Sequence, residues 1–358
     1  MTRIMILAGG TGGHVMPALA VAEELARQQV ELSWVGTGRG LESRLVPESG
    51  IPFDTIAIRG LRGSGPARLL ALPFMLLRAM AQVFRIIRKR KPDAILGMGG
   101  FVAGPGGLVG AALGLPLVLH EQNSVAGLTN KCLARISRVV MSGFPSPRGI
   151  RNSIWSGNPV RASISEIPEP SVRLCAGRPE ARILVLGGSQ GAAVFNSDLP
   201  ELLGRAGIGA LEVWHQCGAR DASGIRAGYA RLDISCRVER FIDDMAGAYA
   251  WSDVVICRAG AMTIAEICCA GVAAIFVPYP HAVDDHQAIN AEFLVRNHAA
   301  LMVREEEWRK GHWLRELKRL LDNRDALIAM AGAARRLAKP GASRFVANAC
   351  MEVACANS

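Results

Sequence analysis

Residues 7–14 read LAGGTGGH, and the histidine that ends them is the first group in the chain suited to chemistry. An imidazole exchanges its proton near neutral pH, so His14 could act as a general base; otherwise it packs against or caps a helix. Glu266, in AMTIAEI, has two acceptor oxygens, a match for a vicinal diol. A second reading stands beside it, because Thr263 to Glu266 has the spacing of a capping box, which needs no ligand. Ser189, inside GGSQG, could donate its hydroxyl to a phosphate or simply cap a helix. Arg161, in GNPVR, could carry its guanidinium to a phosphate or close a cleft, or stand solvated in a linker. In HAVDDHQ, His281 and His286 are five residues apart, not the four that face one metal from a helix, so no metal site is expected. Gln287 ends that stretch with an amide suited to hydroxyl groups. His120 and Glu121, in HEQNS, could each orient a group or serve as an alternative base, and both readings stay open.

These residues need elements to hold them. IMILA, ELSWVG, DTIAI, DAILGMG, LPLVLHE and RVVMSG read as strands, and ALAVAEELARQ, LLALPFMLLRAMAQVFRIIRKR and GLTNKCLARIS as helices. Such alternation implies an α/β fold with a parallel sheet, which binds ligands at the carboxyl ends of its strands. Residues 157–173, rich in proline and polar groups, read as a linker. The pattern then restarts: RILVLGGSQGA repeats the layout of RIMILAGGTGGH, and LEVWHQC, CRVERFI, DVVICRAG and AAIFVPYP follow as strands. The chain of 358 residues is thus expected to form two similar halves, with a ligand in the cleft between them. The last helical stretch, ASRFVANACMEVA, follows an expected kink at Lys339-Pro340-Gly341.

A strand, a glycine turn and a helix amino terminus together make an anion site. Three glycine clusters invite that reading: 9–13, 97–107 and 187–191. The dinucleotide fingerprint GxGxxG fails, because Val15 stands where its last glycine belongs, and no P-loop is present. Two double-glycine loops on two α/β halves suit a nucleotide-sugar enzyme instead. The nine cysteines form no CxxC pair and read as buried, reduced thiols. With neither a signal peptide nor a bilayer-length apolar run in view, a cytoplasmic protein is expected. The net charge of +10 is concentrated between Asp54 and Asp93, where no acid occurs and Arg59, Arg62, Arg68, Arg78, Arg85, Arg88, Lys89, Arg90 and Lys91 lie. The apolar run Leu69–Leu77 in the same segment exceeds one buried stripe and suits an anionic membrane surface. No motif supports nucleic acid as the partner.

Taken in order, LAGGTGGHVMPALAVAEEL, GMGGFVAGPGG, HEQNSVAGLTNK, GNPVR, GGSQGA, FIDDMAGAYAWSDVVICRAGAMTIAEI and PYPHAVDDHQAINA resemble the MurG family. Those bacterial enzymes move N-acetylglucosamine (GlcNAc) from UDP-GlcNAc to O4 of the muramyl sugar of lipid I, making lipid II for peptidoglycan and hence for cell shape and division. The resemblance runs from the first strand to about Asn290 and continues more weakly to the end. It implies an inverting hexosyltransferase of the GT-B class, with two Rossmann-like parallel-sheet domains facing across a cleft. An acceptor and membrane domain would span 1–161, with 339–358 returning to it, and a UDP-GlcNAc domain 162–338. The resemblance assigns His14 to catalysis or acceptor positioning. To UDP-GlcNAc it assigns Thr11, Gly12, Gly13, Asn123, Arg161, Ser189, Ile242, Ala261, Met262, Thr263, Ile264, Ala265, Glu266 and Gln287. Within that set Ser189 meets the diphosphate, the Ile242 backbone meets uracil, Glu266 the ribose, and Gln287 the GlcNAc ring. From the residues alone, Ile242 is a core side chain. No cofactor and no metal are implied. The partners implied are UDP-GlcNAc, lipid I, the anionic cytoplasmic face of the inner membrane as a peripheral site, and other cell-wall synthesis proteins. A UDP-GlcNAc 2-epimerase and a non-catalytic nucleotide sensor are the rival readings.

Overall fold

A computed structural model describes residues 1–58, 66–175, 178–188, 191–219 and 222–356, and only the backbone of 66–71. The chain divides into two compact units, residues 1–160 with 340–358, and residues 161–339. The first unit holds a seven-stranded, all-parallel sheet: β1 (Arg3–Leu7), β2 (Glu31–Gly36), β3 (Phe53–Thr55), β4 (Ala94–Gly97), β5 (Leu117–Glu121), β6 (Val139–Ser142) and β7 (Ile154–Trp155), in the order 3-2-1-4-5-6-7. Between the strands run α1 (Gly12–Arg27), α2 (Glu42–Glu48), α3 (Pro66–Arg90), α4 (Gly100–Ala112) and α5 (Leu128–Leu133). Successive strand residues point to opposite faces, so Ile4 and Ile6 join α1 in one core while Met5 and Leu7 join α3 and α4 in another. Burial on both faces explains why these strands read as unbroken apolar runs rather than alternating ones.

The second unit holds a six-stranded parallel sheet: β8 (Ala181–Leu186), β9 (Leu211–Gln216), β10 (Ser235–Glu239), β11 (Val254–Cys257), β12 (Ala273–Phe276) and β13 (Leu301–Met302), in the order 10-9-8-11-12-13. Its helices are α6 (Ala162–Ser165), α7 (Pro170–Arg173), α8 (Ala193–Arg205), α9 (Ala222–Ala230), α10 (Met245–Trp251), α11 (Ala261–Ala270), α12 (His286–Arg296), α13 (Glu305–Trp308), α14 (Trp313–Asp322) and α15 (Arg324–Arg336). The last helix, α16 (Ala342–Cys355), packs on α1, and Val346, Ala347, Cys350 and Val353 complete the first unit's core.

The stretch read as a linker is ordered. It forms α6 and α7, and Arg173 donates to the carbonyls of Ser252 at 2.6 Å and Gly271 at 2.8 Å. Its prolines start a helix rather than loosen the chain: Pro170 sits at the first position of α7, where its missing N–H costs nothing. Strands β7 and β13, two residues each, are too short to show a period. Helix α4 was hidden by its five glycines, the poorest helix formers after proline.

Candidate active site

The first glycine loop joins β1 to α1. Thr11 is the N-cap of α1, its hydroxyl makes no capping bond, and the first turn holds no acid. The N–H groups that open the helix therefore face outward around Thr11, Gly12 and Gly13. The turn before them is filled from inside the protein. Glu42 is completely buried, and its carboxylate accepts from Gly10 N at 3.0 Å, Thr37 N at 3.0 Å and Thr37 Oγ1 at 2.7 Å. A side chain on Gly9 or Gly40 would collide with that carboxylate. The double glycine thus serves an internal anion at Gly10, and only the helix end beyond it is open to a ligand.

His14 lies in the first turn of α1, half-buried, with Nδ1 3.0 Å from Gln122 Oε1. Gln122 and Asn123 follow β5. The Asn123 backbone and side-chain N–H groups both donate to Glu121 Oε1, at 2.9 and 3.3 Å. The other Glu121 oxygen accepts from Gly127 N at 3.1 Å and Asn130 Nδ2 at 2.9 Å. Glu121 is 2% exposed and His120 fully buried, so both support the loop from beneath and neither opens to a substrate.

The second glycine cluster, read as a phosphate cradle, does other work. Gly99 and Gly100 have φ of +90° and +78°; a Cβ on Gly99 would sit 3.1 Å from the His14 ring, and one on Gly100 2.7 Å from Gly9 O. Gly106, Gly107 and Gly110 lie inside α4 where side chains would strike Leu7, Leu133 and Ile95. These glycines seat the imidazole and bring α4 against the sheet.

In the second unit, Gly260 caps α11 with its backbone alone, and no acid stands in the first turn. Ala261, Met262, Thr263, Ile264 and Ala265 form the opening turns of α11. The capping box between Thr263 and Glu266 is absent, because Thr263 is already the third helical residue. Glu266 instead accepts from Tyr249 Oη at 2.9 Å, and its other oxygen lies 3.9 Å from Arg161 Nη2. Burial pushes the Glu266 carboxyl above the usual carboxylate range, while Arg161 and the Tyr249 hydroxyl pull it back down. Arg161 Nε is buried and without a hydrogen-bond partner among the described residues. Ile242 is 2% exposed. Gln287, in the first turn of α12, accepts from Tyr279 N at 2.9 Å through Oε1, which turns its NH2 outward as donor. Asp285 is held by Arg304 at 2.9 and 3.0 Å, and His286 Nδ1 bonds to Val283 O at 2.8 Å, so these two side chains serve the turn itself. Ser189 lies outside the described residues. On its two sides, Gly191 N donates to Gly188 O at 2.9 Å.

Sequence reasoning had no reason to single out Glu42 or Tyr249, which come from distant segments. Gln122 did carry a signal, since on an extended strand end it shares a face with His120.

Comparison with known proteins follows the same two-unit division. The glycosyltransferase family 28 N-terminal domain matches residues 4–142, and the family 28 C-terminal domain residues 182–345. A Coxiella burnetii protein named "UDP-N-acetylglucosamine–N-acetylmuramyl-(pentapeptide) pyrophosphoryl-undecaprenol N-acetylglucosamine transferase" is 49% identical over 353 residues, covering 98% of each chain. A Nitrosococcus oceani protein of the same name is 47% identical over 354 residues, covering 98% of this chain and 99% of that one. The crystal structure of Acinetobacter baumannii MurG superposes with a TM-score of 0.85 at 40% identity, over 98% of this chain and 100% of the other. Two parallel-sheet units of this kind are the GT-B fold, and with such identity along nearly the whole length the chain belongs to the MurG family of glycosyltransferase family 28.

Proposed function

We propose that this chain transfers GlcNAc from UDP-GlcNAc to O4 of the muramyl sugar of lipid I, forming lipid II. The observation that carries this is the 49% identity, over 98% of both chains, to a protein named for that transfer. Donor and acceptor are assigned to different units. The second unit, close to residues 162–338, takes UDP-GlcNAc. The Glu266 carboxylate receives the ribose hydroxyls, and the start of α11, Arg161 and Ser189 are assigned to the diphosphate. The Ile242 backbone meets uracil, and the Gln287 NH2 donates to the sugar. The first unit takes the acceptor. A hollow of about 930 Å³ in that unit runs from Gly10 past Gly40 to Arg78 and Phe101, and so joins the first glycine loop to α3. Thr11, Gly12, Gly13 and Asn123 contribute to the donor's sugar side.

His14 acts as the general base. The acceptor O4 attacks C1 of GlcNAc from the face opposite UDP, its proton passes to the imidazole, and the C1–O bond breaks with its electron pair leaving on UDP. Backbone N–H groups and the Arg161 guanidinium stabilise the charge that grows on the departing diphosphate. The result is a single displacement with inversion at C1.

Among the described residues no helix is long and apolar enough to cross a membrane. Contact with the lipid-borne acceptor is assigned to α3, peripherally and on the cytoplasmic face. One face of that helix, Phe74, Leu77, Arg78, Ala81, Phe84, Arg85 and Arg88, is exposed, and Phe74 and Leu77 are 75% and 63% accessible. Arg59 and Arg62 lie outside the described residues, and Lys89 and Arg90 are paired with Asp54 at 3.6 and 2.7 Å. The deciding assay is transfer of labelled GlcNAc from UDP-GlcNAc to a short-chain lipid I analogue, with and without EDTA. Label in the lipid extract under both conditions supports the transferase, whereas free N-acetylmannosamine points to an epimerase.

A further inference from the structure

A neutral imidazole has one protonated and one free nitrogen, and only the free one can take a proton. Two backbone carbonyls decide which nitrogen of His14 is free. The carbonyl of Gly157 lies 2.9 Å from His120 Nε2. A carbonyl only accepts, so His120 Nε2 carries the proton. His120 is fully buried, and burial pushes its imidazole down to about 4, so the ring is neutral and its Nδ1 is a lone pair. Gln122 Nε2 stands 3.2 Å from that Nδ1 and 3.2 Å from the carbonyl oxygen of His120. Both are acceptors, so the amide NH2 must face His120 and Oε1 must face away. That oxygen is 3.0 Å from His14 Nδ1. An amide oxygen only accepts, so His14 Nδ1 must donate.

We propose that Gln122 and His120 are positioning residues that hold His14 as its Nδ1–H tautomer and thereby present a free Nε2 to the acceptor hydroxyl. In water the neutral histidine side chain favours the opposite tautomer, so without this acceptor the useful form is the minority. The rest of the surroundings serve the same geometry. Gln122 is 1% exposed, its backbone carbonyl accepts from Asn158 Nδ2 at 3.0 Å, and the His14 ring lies against Gly99, where a Cβ would come within 3.1 Å of it. The position calls for an amide, since a carboxylate there would place one oxygen against the His120 carbonyl. The inference rests on the reading of His14 as base.

The test is the two-bond proton–nitrogen NMR spectrum of histidine-labelled full-length protein at mildly alkaline pH, with the His14→Ala spectrum identifying the His14 signals. The expected pattern is Nδ1–H. In Gln122→Met the pattern moves toward Nε2–H. The kcat with UDP-GlcNAc and the lipid I analogue falls roughly 10- to 100-fold, and KM for UDP-GlcNAc changes by less than about 2-fold. An Nε2–H pattern in the wild-type protein overturns the proposal, and that spectrum decides even if Gln122→Met does not fold. Unchanged kcat in a folded Gln122→Met protein also overturns it. The two readings separate cleanly. Turnover retained in His14→Ala removes the base itself, whereas an inactive His14→Ala with an Nε2–H wild-type spectrum removes only the relay.

Discussion

At the scale of single residues, the proposed donor site rests on Glu266, a carboxylate that burial disfavours. Desolvation raises the Glu266 carboxyl, and Arg161 and Tyr249 limit the rise. Tyr249 is itself buried and held protonated, so it remains a donor to Glu266. Ribose hydroxyls donate to a carboxylate, so UDP binding should strengthen as pH rises through the Glu266 titration. The Glu266→Gln variant should bind more weakly with that dependence lost; calorimetric titration of UDP across the mildly acidic range reads both. Tyr249→Phe removes one neutral-to-charged hydrogen bond. KM for UDP-GlcNAc should rise by roughly 5- to 30-fold with kcat little changed. A fall in kcat at constant KM would move Tyr249 out of nucleotide binding.

At the scale of elements, two features bear on the acceptor side as proposed. The first is the start of α4, where Gly100 adopts a φ of +78° and approaches Gly9 O too closely for a side chain. Gly100→Ala should cost about 1–3 kcal/mol of stability and push the first glycine loop off its position. The variant should therefore lose kcat as well as thermal stability. A shifted Tm with full activity would show the loop to be indifferent to α4. The second is α3, which buries Ala79, Val83 and Ile87 while Phe74, Leu77 and Phe84 face out among arginines. Burial of those apolar side chains in a lipid interface adds to the attraction of the arginines for anionic headgroups. Phe74→Ser with Leu77→Ser should weaken sedimentation with phosphatidylglycerol vesicles by roughly 10-fold or more while transfer to a soluble acceptor analogue persists. Equal binding by the double variant would assign the membrane contact elsewhere.

At the scale of the whole molecule, each unit hides one neutral histidine. His120 lies in the first, and His215 in the second bonds Tyr229 Oη at 2.9 Å and Asn196 Oδ1 at 3.0 Å. Burial pushes both from 6.5 to about 4. Between those values the unfolded chain binds more protons than the folded one. The stability these groups contribute is therefore present above about pH 6.5 and lost as pH falls toward 4, on the order of 3 kcal/mol for each. Urea unfolding should show both units weakening on acidification across that window. Stability that stays level would mean that the two rings are not held neutral.

Much of this was legible in the residues themselves. Apolar runs buried on both sheet faces, glycine turns and helical periods mark the parallel strands and most helices, because each is a local property of the chain. The same local patterns draw attention to His14, Glu266 and Gln287, each near the start of a helix. The contacts that give those residues their state are not local. Glu42 fills the first glycine turn from 32 residues away, and Gln122 meets His14 across 108. Tyr249 and Arg161 reach Glu266 from other elements, and α16 finishes a core whose other members lie at the far end of the chain. Spacing in a sequence carries no information about which distant segment folds against a given one. Residue types suited to chemistry could therefore be read from the chain. Which carboxylate is filled, which glycine makes room for a ring and which nitrogen keeps its proton were decided only by packing.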